Sequence, residues 1–126
     1  MRSVDPVIAW NAQAPGVVVA KATFESGDTG IYEGIWNGPG PWAVTISTPT
    51  RRWEMRPLEE ASRQLRGTRQ SVPAEISLDD QQYKPGFLAQ ARQAVAACRG
   101  EASQLVTISQ ALESMRLVQS IFFPCP

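Results

Sequence analysis

The chain has 126 residues, 43% of them apolar, with 12 basic and 12 acidic side chains and no histidine. That length suits one domain with its own core, and that apolar share excludes a disordered chain. A net charge of zero argues against nucleic acid or an anionic membrane as the default partner.

Met1 to Pro6 puts an acid and a proline ahead of any apolar stretch, which a secretory signal does not do. The runs Val7–Trp10 and Val17–Ala20 are far too short to span a bilayer. Val7 to Asn11 reads as a short strand, broken by Ala14-Pro15-Gly16. Gly16 to Phe24 is rich in β-branched residues and reads as a second strand, and Thr29 to Trp36 returns as a third. The turn between them contains Gly27, which takes positive φ at no steric cost. Two registers fit. A two-residue loop pairs Phe24 with Thr29; a three-residue loop with Gly27 in a bulge pairs Phe24 with Asp28.

Asn37 to Pro41 is a loop. Trp42, Val44 and Ile46 alternate with Ala43, Thr45 and Ser47, the pattern of a half-buried strand. Arg52 to Arg56 is a further strand with one wet face; Pro57 to Gly67 fits a short helix or a loop; Val72 to Leu78 fits an edge strand that tolerates Pro73. Pro85 suits the first turn of a helix carrying Phe87, Leu88, Ala91, Val95 and Cys98 at helical spacing, with Gly100 as its C-terminal cap. Thr107 to Gln110 is a capping box that opens a helix whose apolar stripe is Ala111, Leu112, Met115, Val118 and Phe122, ended by Pro124. Antiparallel strands followed by two amphipathic helices predict a single α+β domain over residues 1–126. Its expected form is a mostly antiparallel open twisted sheet with two C-terminal helices packed on one face.

The absence of histidine removes histidine-assisted nucleophiles, histidine-ligated metals and the commonest general base. Gly38 to Ala43 spells G-x-G-x-x-A, but Pro39 and Pro41 lack the N–H groups a phosphate needs and a strand follows, so no nucleotide site is expected. Glu33 and Glu54 lie on strands whose alternation places charges toward solvent; Glu33 can meet Lys21 across the hairpin in one register. Arginines at 51, 52, 56, 63, 66 and 69 are interleaved with Glu54, Glu59 and Glu60, which reads as a solvated edge. Asp79-Asp80 reads as loop or as a helix-dipole complement. Trp10, Trp36, Trp42 and Trp53 all fall on or beside strands, where core packing is the default and an exposed aromatic face the alternative. Cys98 and Cys125 form no C-x-x-C pair and no zinc spacing, which suits a reducing, cytoplasmic setting.

Ala22 to Gly27, followed by Gly30, Tyr32-Glu33-Gly34 and Trp36-Asn37, resembles the central hairpin in the C-terminal domain of the glucose–fructose oxidoreductase/inositol dehydrogenase family. Lys84-Pro85-Gly86-Phe87 with Gln90-Ala91-Arg92 is similar to the start of that domain's penultimate helix. Thr107, Ala111-Leu112 and Met115-Arg116-Leu117 are similar to its last helix. The resemblance runs through most of Gly16 to Phe122. It implies an open sheet used for substrate binding and subunit association, beside a dinucleotide-binding half that carries NAD or NADP. The family's nucleotide fingerprint and the catalytic lysine of its E-K-P motif are absent here, as is its histidine-bearing helix. Tyr83-Lys84-Pro85-Gly86 has no acid before the lysine and does not replace that motif. No catalytic, cofactor-binding or metal residue carries over.

The expected role is therefore a non-catalytic substrate-side or oligomerisation domain of a nicotinamide-dependent sugar or polyol oxidoreductase. It would bind no cofactor alone and would form a homo-oligomer through its open sheet face. The alternative is a small module binding a sugar, nucleotide or RNA through tryptophan and arginine. The candidate ligand or partner surface is Tyr32, Glu33, Trp36, Trp42, Trp53 and Lys84.

Overall fold

A computed structural model describes residues 2–40 and 42–123. The elements in chain order are β1 (Ser3–Ile8), β2 (Val17–Thr23), β3 (Thr29–Ile35), β4 (Val44–Ser47), β5 (Arg51–Met55), β6 (Ala61–Leu65), β7 (Ser71–Pro73), α1 (Leu78–Gln82), α2 (Phe87–Cys98) and α3 (Ile108–Phe122). The protein is α+β with open antiparallel sheets and helices toward the C-terminus. Its strands are shared between two sheets, ordered β1-β2-β3 and β4-β5-β6-β7. Contacts divide the chain into two compact units, one of residues 1–40 and 106–126, the other of 41–105.

In the first unit, the three-residue loop sets the hairpin register. Thr23 pairs with Thr29, Ala20 with Tyr32 and Val17 with Ile35. The Phe24 N–H donates to the Asp28 carbonyl at 3.0 Å, and Gly27 sits at φ 91°. A left-handed glycine closing a short turn gives the strands a twist that matches their own. Lys21 therefore faces Ile31, and Glu33 faces Val19. Among the described residues no ion pair joins Lys21 to Glu33. The first strand is displaced from the expected Val7–Asn11 toward the N-terminus and includes Pro6, which pairs with Ala20. Its edge position explains this, because an edge proline has no ladder hydrogen bond to lose.

One face of this hairpin is built from small residues. Val18, Ala20 and Ala22 are buried, and Gly34 and Gly30 stand opposite Val18 and Ala22. A Cβ at Gly34 would lie 3.0 Å from both the Tyr32 Oη and a Val18 methyl, so both would have to give by a few tenths of an ångström to admit one. α3 covers this face. Its capping box is formed: the Gln110 N–H donates to Thr107 Oγ1 at 3.3 Å, while Gln110 Oε1 accepts from the Thr107 N–H at 2.9 Å. Ile121 is buried against Val18 and Ala20, with Val4, Trp10, Leu117 and Phe122 packed around them. The expected stripe is thus only partly the packing face. Phe122 is half-buried, but Ala111, Leu112, Met115 and Val118 stay exposed while Leu117 and Ile121, one turn apart on the neighbouring stripe, do the packing. Pro124 and Cys125 lie outside the described residues.

In the second unit, four strands form an antiparallel meander. The segment expected as helix or loop, Pro57 to Gly67, contains the inner strand β6. Ala-Ser-Arg-Gln-Leu has no β-branched residue, and pairing on both sides overrides its local preference. The last strand is shorter than the expected Val72–Leu78 and ends at Pro73, on an edge. The opposite edge, β4, carries no proline, and the same asymmetry holds for β3 against β1. Asp79 and Asp80 belong to the first turn of α1, behind Ser77 as N-cap. α2 starts at Phe87 with Gly86 as its cap, so Pro85 precedes the helix and does not open it. At its end the Gly100 N–H donates to Ala97 and the Glu101 N–H to Ala96, at 3.0 Å each, with Gly100 at φ 73°. This is the glycine cap expected there.

Truncating the one buried helix residue should loosen the first unit. Ile121→Ala is expected to destabilise it by about 2–4 kcal/mol through lost transfer energy and an unfilled cavity. Urea unfolding followed by the near-ultraviolet signal of Trp10 and Trp36 measures this.

Candidate functional site

The sequence-predicted surface residues fall into both units. In the first unit, Tyr32 and Trp36 join two aromatics that sequence spacing did not group with them. Trp10 lies 4.8 Å from Trp36 and 5.3 Å from Phe122, while Tyr32 and Trp36 lie 5.9 and 5.7 Å from Phe122. All these rings meet tilted or edge to face, the arrangement their quadrupoles favour. Edge contacts fill the space between rings, so this cluster extends the core and leaves no flat platform. Trp36 remains 56% exposed at its margin. Trp10 could have been found only by knowing that the chain turns back beside β3. Trp36 N–H to Gly16 O at 2.8 Å and Asn37 Nδ2 to Pro15 O at 2.7 Å fasten that return.

Glu33 lies on the opposite face of the hairpin from Tyr32, as strand alternation requires. That face also holds Val17, Ile31 and Ile35, all exposed. It is a second apolar surface, and among the described residues no element covers it.

In the second unit, register sorts the four strands into two unlike faces. One carries Thr45, Ser47, Arg52, Glu54, Ser62 and Gln64. The other places Trp53 between Ile46 and Arg63, with Val44 opposite Met55, Leu65 opposite Arg51 and Val72 opposite Arg63. Val44, Ile46, Leu65 and Val72 are each between 44 and 50% exposed. Trp53 is half-buried at the centre of this face and Trp42, 80% exposed, lies outside the strands. Glu54 is held by Arg52 at 2.8 Å, so it is not a free carboxylate. α2 likewise leaves an open apolar depression of about 440 Å³ along Leu88, Ala91 and Val95.

Lys84 marks the corner between α1 and α2. Its ammonium lies 5.1 Å from the Phe87 ring centroid and 4.0 Å from Glu59. Beside it, Asp80 accepts from the Gly86 N–H at 2.8 Å and from Ser77 Oγ at 2.9 Å, while Arg92 pairs with Asp79. The bond from Gly86, and then that from Ser77, hold the Asp80 carboxyl below the usual aspartate range. The lysine is thus an exposed cation at a well-tied corner.

The glycine-rich segment Gly38–Gly40 does not fit a dinucleotide, since Pro39 offers no N–H and β4 follows where a helix N-terminus would be needed. Among the described residues, no three His, Cys, Asp or Glu side chains are placed to hold a metal ion, and no helix is long and apolar enough to cross a membrane. Comparison with protein-family models, curated proteins and solved structures finds no match.

The Asp80 bonds stabilise the corner only while the carboxyl is charged. Its pKa is lowered by folding, so that contribution is present above the unfolded value and is lost as pH falls through the lower, folded one. The Gly86 amide proton should shift with a midpoint below the usual aspartate range, and Asp80→Asn should abolish that titration, as read by NMR.

Proposed function

We propose that the chain is the non-catalytic substrate-side and oligomerisation part of an NAD- or NADP-dependent sugar or polyol oxidoreductase, and that it pairs with a second copy through the open face of the four-stranded sheet. The observation that carries this reading is the amount of surface the chain leaves in water, with many large apolar side chains in it. The chain exposes 10328 Å². Two compact bodies of half its mass each would together expose about 8,000 Å², so the excess does not depend on how the units are arranged. That excess, about 2,300 Å², is well above the roughly 800 Å² that one partner contributes to a standard protein–protein interface.

The face around Trp53 has the composition such an interface needs. A half-buried tryptophan sits at its centre, with Ile46, Met55, Val44, Leu65 and Val72 around it and two arginines at 51 and 63. Aromatics and arginine dominate the energetics of association, and an open sheet face can meet a copy of itself across a two-fold axis. The cofactor is placed in the dinucleotide-binding half of the parent enzyme. The role of this chain is to hold subunits together and to supply one wall of a substrate pocket. In the second unit, Trp42 and Lys84 are the aromatic and cationic groups available for such a wall.

Self-association and cofactor binding test the two parts of the proposal separately. The chain should sediment as a dimer. Ile46→Asp, at a half-exposed position, should shift it toward monomer by at least about 2 kcal/mol of association energy. A strict monomer at high concentration overturns the pairing. Titration with NAD and NADP should show no tight binding to this chain alone; tight binding overturns the non-catalytic assignment.

A further inference from the structure

Two neighbouring turns of the second unit enclose a cleft unlike the apolar faces. Thr48 closes the first turn: its hydroxyl donates to the Arg51 carbonyl at 3.0 Å and accepts from the Arg51 N–H at 3.2 Å. Thr68 closes the second, donating to the Leu65 carbonyl at 2.8 Å, while Gln64 Nε2 donates to the Thr68 carbonyl at 2.8 Å. The Arg66 N–H reaches across to the Thr50 carbonyl at 2.9 Å and joins the two. The concavity between them holds about 330 Å³, at the small end of the range for small-molecule sites.

Its lining has one consistent chemistry. Arg51, Arg52 and Arg66 all contribute, and no acidic residue does. Glu54 engages Arg52 from outside the lining through a single oxygen. Among the described residues Arg51 and Arg66 have no ion-pair partner, and the hydroxyls of Ser47 and Thr50 make no hydrogen bond within the chain. The cleft is thus lined by arginines without ion-pair partners and by residues with free hydroxyls, on two braced turns. Guanidinium forks match pairs of oxygens on a tetrahedral anion, and hydroxyls complete its remaining acceptor sites. No aromatic side chain lines the cleft, so it has no surface on which a nucleobase would stack. With Leu65 and Pro49 its only large apolar members, an apolar ligand gains little there.

We propose that this cleft binds the phosphate group of a small phosphorylated molecule, with Arg51 and Arg66 gripping the oxyanion and Arg52 held ready at its side by Glu54. The site lies within one chain, and its Arg51 also stands on the sheet face proposed to pair.

The test is NMR titration of the full chain with inorganic phosphate and, separately, with a simple alkyl phosphate monoester, each against chloride at matched ionic strength. The expected result is saturable shifts of the Thr50, Arg66, Gly67 and Thr68 amides with phosphate and monoester but not with chloride. Tighter binding of the monoester identifies an esterified ligand; equal binding identifies free phosphate as sufficient. Arg51→Ala/Arg66→Ala should weaken binding by at least about tenfold. Arg69→Ala, which removes an equal charge from outside the lining, should leave it unchanged. Should the double variant fail to fold, Arg66→Lys keeps the charge and must still weaken binding. Absence of saturable shifts, or an Arg69→Ala loss equal to that of the double variant, overturns the site. Loss of binding in the Ile46→Asp chain overturns the assignment of the site to a single chain.

Discussion

Ile121 can reach Val18 and Ala20 because almost everything on that side of the hairpin is small. Two alanines and two glycines lower the surface of β2 and β3, and the helix settles into the space they leave. A larger residue at Gly34 would meet Tyr32 and Val18 at once, displacing the ring that borders the helix end. The aromatic group of Trp10, Tyr32, Trp36 and Phe122 is arranged around this one approach. The first unit is therefore specified by absence of side-chain volume as much as by apolar burial.

Features governed by a few adjacent residues were legible in the sequence. The hairpin turn, the Gly100 cap and the Thr107–Gln110 box each depend on local backbone geometry, and each forms as expected. What depended on distant pairing was not legible. β6 has helical composition and is a strand because β5 and β7 flank it. The packing stripe of α3 was read one position around the helix from where it lies, since two adjacent apolar stripes have the same period and only the partner surface chooses between them. The candidate surface was dispersed for a similar reason. Tyr32 and Glu33 are sequence neighbours, yet alternation sends them to opposite faces.

Both units are layers with one side finished. The first has its helix, while the side bearing Ile31 and Ile35 meets water; among the described residues the second has no helix packed over the face bearing Trp53. Isolated sheets of three or four strands gain stability by covering an apolar face. The surface that supports the proposed role in assembly is thus also the surface the fold most needs covered. The arginine cleft contrasts with this. Its turns are closed by their own hydrogen bonds and require nothing from outside to keep their shape.

The prolines add a direction to these sheets. Pro6 on β1 and Pro73 on β7 each remove a donor from one border, while β3 and β4 keep theirs. A ribbon that grows at one border alone cannot propagate: once two such borders have met, the joined sheet shows only blocked margins. Strand-to-strand joining is therefore confined to β3 in one sheet and β4 in the other, and each of these edges can take a single partner strand.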